Sequence, residues 1–144
     1  MSLRPVSCGF IPLVDSAPLV VAREMGFAAE EGLDLQLTKA PSWSALRDHL
    51  VLGRLDAAHM LAPAPIAMSI GLGGMPTRVD ALSVLSINGD VIGVDRVLAE
   101  KMRARGAAND FMAAEPIGRA LIAASEGALT IGVPFPFSMH AELL

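Results

Sequence analysis

The stretch KAPSWSALRDHL, Lys39 to Leu50, contains the sole tryptophan of a 144-residue chain that has no tyrosine and five phenylalanines. Trp43 is flanked by Ser42 and Ser44 and follows Pro41, which is the pattern of a helix start rather than of a core run. Unpaired amides at a helix start, together with serine hydroxyls, can donate hydrogen bonds to an anion, and each such interaction is worth about 0.3 to 1 kcal/mol. An aromatic ring beside them can wall the anion off from water. Three other segments have a comparable make-up: PLVDSAP with Asp15 and Ser16, LAPAP after a short apolar run, and NGDV with Asp90. The chemistry these residues could do is non-covalent capture of a small oxyanion. The same serines would serve equally as helix caps, with Trp43 packing against a sheet edge, and spacing alone leaves both readings open.

Catalytic alternatives are thinner. GLGG, Gly71 to Gly74, lacks the third glycine and the following helix of a dinucleotide fingerprint and reads as a helix terminator. His49 and His59 fall on different elements with no cysteine cluster near them, which predicts an exposed helix residue and a hydrogen-bonded strand residue rather than metal ligands. Glu30 and Glu31 are adjacent and point apart, so they suit solvent better than paired acid-base work. Cys8 is the single cysteine, has no base beside it and cannot form an internal disulfide; it reads as a small core residue. Neither a nucleophile elbow nor a phosphate loop is present, so the expectation is a non-enzymatic protein without a cofactor or metal.

The bulk composition narrows the partners. The net charge of −4 and the lack of Lys/Arg clusters interleaved with aromatics argue against nucleic acid as a direct ligand. The densest basic stretch, EKMRARG, suits the last turn of a solvated helix. A hydrophobic fraction of 53% makes a membrane span the first thing to test. The longest charge-free run, Ala57 to Thr77, is broken by Pro63, Pro65, Gly71, Gly73 and Gly74, so no transmembrane segment is expected. The N-terminus, MSLRPVSCGFIP, lacks a secretory h-region, which predicts a cytoplasmic location, or a periplasmic one if a signal has been removed.

The elements that would position these residues alternate. VSCGFI (6–11) predicts a strand ended by Pro12, and SAPLVVAREMGFAAEEG a helix that Ser16 can cap, with Pro18 in its first turn and Gly26 or Gly32 as terminators. LDLQLTK (33–39) alternates strictly, with Leu33, Leu35 and Leu37 on one face, and predicts a strand; SWSALRDHLVLGRL predicts the next helix. DAAHMLA, DALSVLSI, DVIGVD and LTIGVPF read as further strands, with a turn at Asn88-Gly89; PAPIAMSIGLGG, RVLAEKMRARG and EPIGRALIAASEGA read as helices. FSMHAELL reads as a helix just beginning, with Ser138 as cap, so the architecture is expected to continue beyond it. Strand and helix alternating in this way imply an α/β layered fold with parallel strands and right-handed crossovers. In such sheets ligands bind beyond the carboxyl ends of the strands. Trp43, Asp15, Ser16, Ser42, Ser44 and Asp90 all fall on that rim.

GFIPLVDSAPLVVAREMGFAAEEGLDLQL, followed by SWSALRDHLVLGRLDAAHMLAPAPIAMSIGLGG, closely resembles the nitrate- and bicarbonate-binding family of ABC-transporter substrate-binding proteins. Within it the chain looks most like the nitrate/nitrite sensor members that lack a signal peptide. SINGD and VPFPFSMHAELL fit later landmarks of the same family, so the resemblance runs over nearly the whole chain.

The resemblance implies a type II periplasmic-binding-protein clamshell whose second lobe is largely missing from an apparently N-terminal fragment: residues 1–88 as lobe I with the anion-site rim, and 89–144 as the crossover into lobe II. It implies that a small oxyanion is held by Trp43 and by His140 of the Phe-Ser-x-His segment, with Asp90 standing where family binders carry a glutamine. An aspartate facing an anion would repel it unless protonated or turned away. The implied partners are the oxyanion and either an ABC-transporter permease or an RNA-binding antiterminator. Two alternatives from other classes are an enzyme of the same fold, in thiamin-precursor or menaquinone-type biosynthesis, and a non-binding regulatory half-domain that forms a homo-oligomer through the open face of its last helix.

Overall fold

A computed structural model describes residues 2–74, 76–87, 89–108 and 112–144. Strand β1 (Arg4–Phe10) places Cys8 and Gly9 in the buried layer, and β2 (Leu33–Lys39) runs parallel to it from Arg4↔Leu33 to Phe10↔Lys39. The third strand, β3 (Ala57–Ala58), pairs parallel to the other side of β1, giving the order β2-β1-β3 among the described residues. Its shortness is offset by a polar clasp. The Ser7 backbone N–H and hydroxyl both donate to Asp56 Oδ2, at 2.8 and 2.6 Å, and the Asp56 N–H returns to the Ser7 hydroxyl at 3.0 Å.

The crossovers are helical. A single 3₁₀ turn at Val14–Ser16 leads into α1 (Ala17–Glu24), whose first turn accepts Pro18 because amides there have no internal partner. Gly26, at φ 82°, takes the left-handed conformation that ends α1 and starts α2 (Phe27–Glu30). Helix α3 (Trp43–Val51) is capped as its sequence predicts, the Ser42 hydroxyl accepting from the Ala45 N–H at 3.1 Å. Helix α4 (Pro63–Ser69) follows β3 and ends at the GLGG stretch, where Gly71, Gly73 and Gly74 all have positive φ. The core of this part is Ala40, Leu46 and Leu55, with Ile11, Trp43, Leu50 and Ala58 against it. Leu46 has no solvent exposure, and a Cβ at position 9 would collide with the δ-methyl groups of Leu46 and Leu55, so glycine there lets them pack against β1.

The chain packs as two compact units, one formed by residues up to Asp90 together with Val133–Leu144, the other by Val91–Gly132. The second unit is a helical pair, α5 (Arg96–Arg103) and α6 (Ala114–Ala124), packed through Met102, Ala107, Ala120 and Ala124. Asp95 caps α5 by accepting from the Leu98 N–H at 2.9 Å, and Lys101 and Arg103 of the basic stretch fall in its last turn. Helix α7 (Met139–Leu143) closes the first unit. No helix among the described residues is long and apolar enough to cross a membrane.

The α/β architecture with a parallel sheet is as the sequence predicts, but three expected strands are not formed. DALSVLSI, DVIGVD and LTIGVPF join no ladder among the described residues. Alternation fixes which face of a strand is apolar, yet a strand exists only against a neighbour, and here Leu82, Val84 and Ile92 stay 89%, 77% and 56% exposed. The turn expected at Asn88-Gly89 involves Asn88, which lies outside the described residues.

Two expected caps are also corrected. Ser16 makes no capping bond; its hydroxyl donates to the Leu13 carbonyl at 2.7 Å, because the preceding 3₁₀ turn brings that carbonyl within reach. Ser138 precedes α7 without a side-chain cap and is completely buried, its Oγ having no partner among the described residues.

Candidate functional site

With three parallel strands in the order β2-β1-β3, the segments beyond their carboxyl ends lie side by side. Trp43 follows β2, Asp15 follows β1, and His59 directly follows β3. The His59 backbone N–H donates to the Gly9 carbonyl at 2.9 Å, extending the β1–β3 pairing by one bond and so fixing where the imidazole begins. His59 is 5% exposed, its Nε2 is 3.2 Å from Asp15 Oδ2, and its ring centroid is 5.3 Å from that of Trp43 at an interplanar angle of 59°. Asp15 Oδ1 and His59 Nδ1 are both buried without a hydrogen-bond partner among the described residues.

The Trp43 ring rests on a filled apolar floor. Met60, Met68, Phe135 and Phe137 surround a gap with barely room for one water molecule, and Arg47 borders it. Arg47 is already engaged: Nη1 donates to the Gly73 carbonyl at 3.0 Å and Nη2 lies 2.7 Å from Asp48 Oδ1. Phe135 and Phe137 meet edge to face at 5.5 Å, which ties the segment before α7 into this floor.

That segment leads to His140. Its Nδ1 is 3.1 Å from Asp90 Oδ1, the two side chains being 24% and 39% exposed. The contact has ion-pair distance without hydrogen-bond alignment. Asp90 therefore points its carboxylate at His140, and a protonated imidazole here would carry its counter-ion with it. Among the other residues expected on the rim, Ser42 is committed to its cap, Ser44 is exposed, and Ser16 is turned inward to Leu13. His59, expected only as a hydrogen-bonded strand residue, is the one that joins Asp15 to Trp43. The rule that placed Trp43 on the rim could have found it, since His59 also stands just past a strand's carboxyl end. Burial holds the Cys8 thiol above its ordinary pKa, and a protonated, buried thiol is inert.

Comparison with known proteins adds what geometry alone does not. Residues 2–144 match the model of the NMT1-like family. The chain belongs to that family. It is 38% identical over 138 residues to the nitrate import ATP-binding protein NrtC of Synechocystis sp., covering 94% of this chain and 19% of the relative. It is 33% identical over 104 residues to the bicarbonate-binding protein CmpA of Synechococcus elongatus, covering 68% and 23%. The crystal structure of the periplasmic nitrate-binding protein NrtA from Synechocystis aligns with a TM-score of 0.50 at 41% identity, over 53% of this chain and 22% of that one. The chain thus spans about a fifth of the length of each. One stretch matches proteins named both for anion binding and for ATP binding. These 144 residues contain no G-x-x-x-x-G-K-[ST] phosphate loop.

Proposed function

We propose that the chain contributes one wall of a non-catalytic site for a small oxyanion, nitrate, nitrite or bicarbonate. The observation that carries this reading is the arrangement of Trp43, the only tryptophan, as an aromatic wall against buried His59, which Asp15 holds in turn, in a unit that also holds the His140–Asp90 pair. The resemblance gives Trp43 and His140 the role of ligand contacts, and the relatives named for nitrate and bicarbonate supply the ligand class. His140 offers a hydrogen-bond donor whose charge, when protonated, attracts the anion. Asp90 faces the same imidazole, and its carboxylate repels the anion.

The expected affinity is weak. The His140–Asp90 pair is partly exposed, so an anion there keeps much of its hydration and each contact acts through a high effective dielectric. A Kd on the order of millimolar, roughly −4 kcal/mol, follows. Isothermal titration with nitrate, nitrite and bicarbonate, each against chloride at matched ionic strength, tests the reading. Saturable heat with at least one of the three supports it, and identical heats for all four anions refute it. Similarity to a protein named as an import ATP-binding protein supports a setting in an anion-import assembly. Cytoplasmic sensing is the other setting for the same site, and fractionating cells that produce the protein separates the two.

A further inference from the structure

We propose that His59 is a positioning residue, held by Asp15, that sets the orientation of the Trp43 ring. This inference rests on the oxyanion reading for its purpose but not for its test. Asp15 accepts only, so the 3.2 Å contact places a proton on His59 Nε2 and selects one orientation of the imidazole. The backbone end of His59 is fixed by its bond to Gly9, and its ring meets Trp43 at 5.3 Å, so the side chain is pinned at three points. A buried imidazole held in this way is more than packing, because an apolar ring of similar size would fill the space without leaving two polar atoms short of partners. His59 Nδ1 and Asp15 Oδ1 are those atoms, and both lie beside the proposed wall. The arrangement has the logic of an outer layer that orients a ligand-contacting group through a histidine and a carboxylate.

Asp15 faces His59 from the turn after β1, the Cys8 thiol lies next to Gly9 on β1, and Arg47 of α3 stands near Trp43 and Met60. The α4 sequence PAPIAMS carries no titratable or charged group. Because Trp43 is the only tryptophan, its spectroscopic bands report this contact without interference from another indole.

The test measures the near-ultraviolet circular dichroism of Trp43, with the far-ultraviolet spectrum as a check of folding, and nitrate affinity in the wild-type chain, His59→Phe and Asp15→Asn. His59→Phe keeps a ring but loses Nε2 and its contact with Asp15; Asp15→Asn keeps an acceptor but loses the charge. The Trp43 band is expected to change in His59→Phe and to change less in Asp15→Asn, the far-ultraviolet spectrum staying as in the wild type. Nitrate affinity is expected to drop about tenfold in His59→Phe, the low end of the loss seen when a group that orients a ligand contact is removed, and to be partly kept in Asp15→Asn. A wild-type Trp43 band and wild-type nitrate affinity in His59→Phe overturn the proposal. Should that variant fail to fold, an unchanged Trp43 band in Asp15→Asn overturns it equally. If the band changes as expected but the wild type takes up no oxyanion, the positioning contact stands and the oxyanion reading falls.

Discussion

Replacing Asp90 by asparagine removes one negative charge while leaving the volume almost unchanged, and is expected to tighten anion binding. The Asp90 carboxylate lies 3.1 Å from His140 Nδ1. Nδ1 is buried against Asp90, so an anion would accept from Nε2, about 3 Å from the other edge of the ring and therefore roughly 8 Å from the carboxylate oxygen. At that distance two like charges repel by about 0.5 kcal/mol in a water-like dielectric and by about 2 kcal/mol at an effective dielectric of about 20. Asp90 is 39% exposed, which puts the pair near the wet end of that range. A gain of about 1 kcal/mol, roughly a fivefold lower Kd, is the expected result. The assay is calorimetric titration with nitrate at low ionic strength, repeated at about 0.5 M inert salt, where screening shrinks the gain because the Debye length falls to a few Å. An Asp90→Asn variant that binds nitrate no better than the wild type, or worse, would show that the carboxylate does not oppose the ligand. The account of the His140–Asp90 pair would then be wrong.

Other substitutions test the fold that carries the site. Gly9→Ala would drive a Cβ into the Leu46 and Leu55 side chains, and overpacking of this kind costs about 1 to 3 kcal/mol, seen as a lower urea midpoint at constant m-value. Ser42→Ala removes the acceptor for the Ala45 N–H and is expected to cost about 0.5 to 2 kcal/mol by the same measurement, frayed at the end of α3 that bears Trp43. The two bonds from Ser7, its hydroxyl first and its backbone N–H second, hold the Asp56 carboxyl below the ordinary aspartate value. A lowered folded-state value means the contribution is present above the unfolded value of about 3.9 and is lost as pH falls through the lower folded value. Ser7→Ala is therefore expected to flatten the acid limb of stability below about pH 4, and an unaltered limb would remove the clasp from the account.

What could be read from the sequence was whatever is decided by neighbours in the chain. The alternation of Leu33, Leu35 and Leu37 marked β2 to the residue, Ser42 announced the α3 cap, and Gly26 and Gly71 ended helices, because each rests on a few adjacent residues. DALSVLSI carries the same strand pattern and forms no ladder, since pairing depends on a distant segment that the pattern does not name. Ser16 and Ser138 looked like caps for the same local reason, yet one is claimed by the Leu13 carbonyl and the other is sealed from solvent. Trp43 and Asp15 were placed on the rim by strand order alone. His59 was open to the same rule, since it too follows a strand, but its contacts with Asp15 and Trp43 exist only once β3 docks beside β1. Asp90 and His140 stand fifty positions apart, and only the family resemblance tied them to one ligand before the structure set them 3.1 Å apart.

The central claim is that Trp43 walls an anion site, and one resonance tests it. With a single tryptophan, a ¹⁵N-labelled chain gives one indole N–H cross-peak. Titration with nitrate at constant ionic strength, with chloride as the reference anion, is predicted to move that peak along a saturable curve, while chloride leaves it in place. The same small, linear drift with both anions would contradict the account and leave Trp43 as a packing residue at the edge of the sheet.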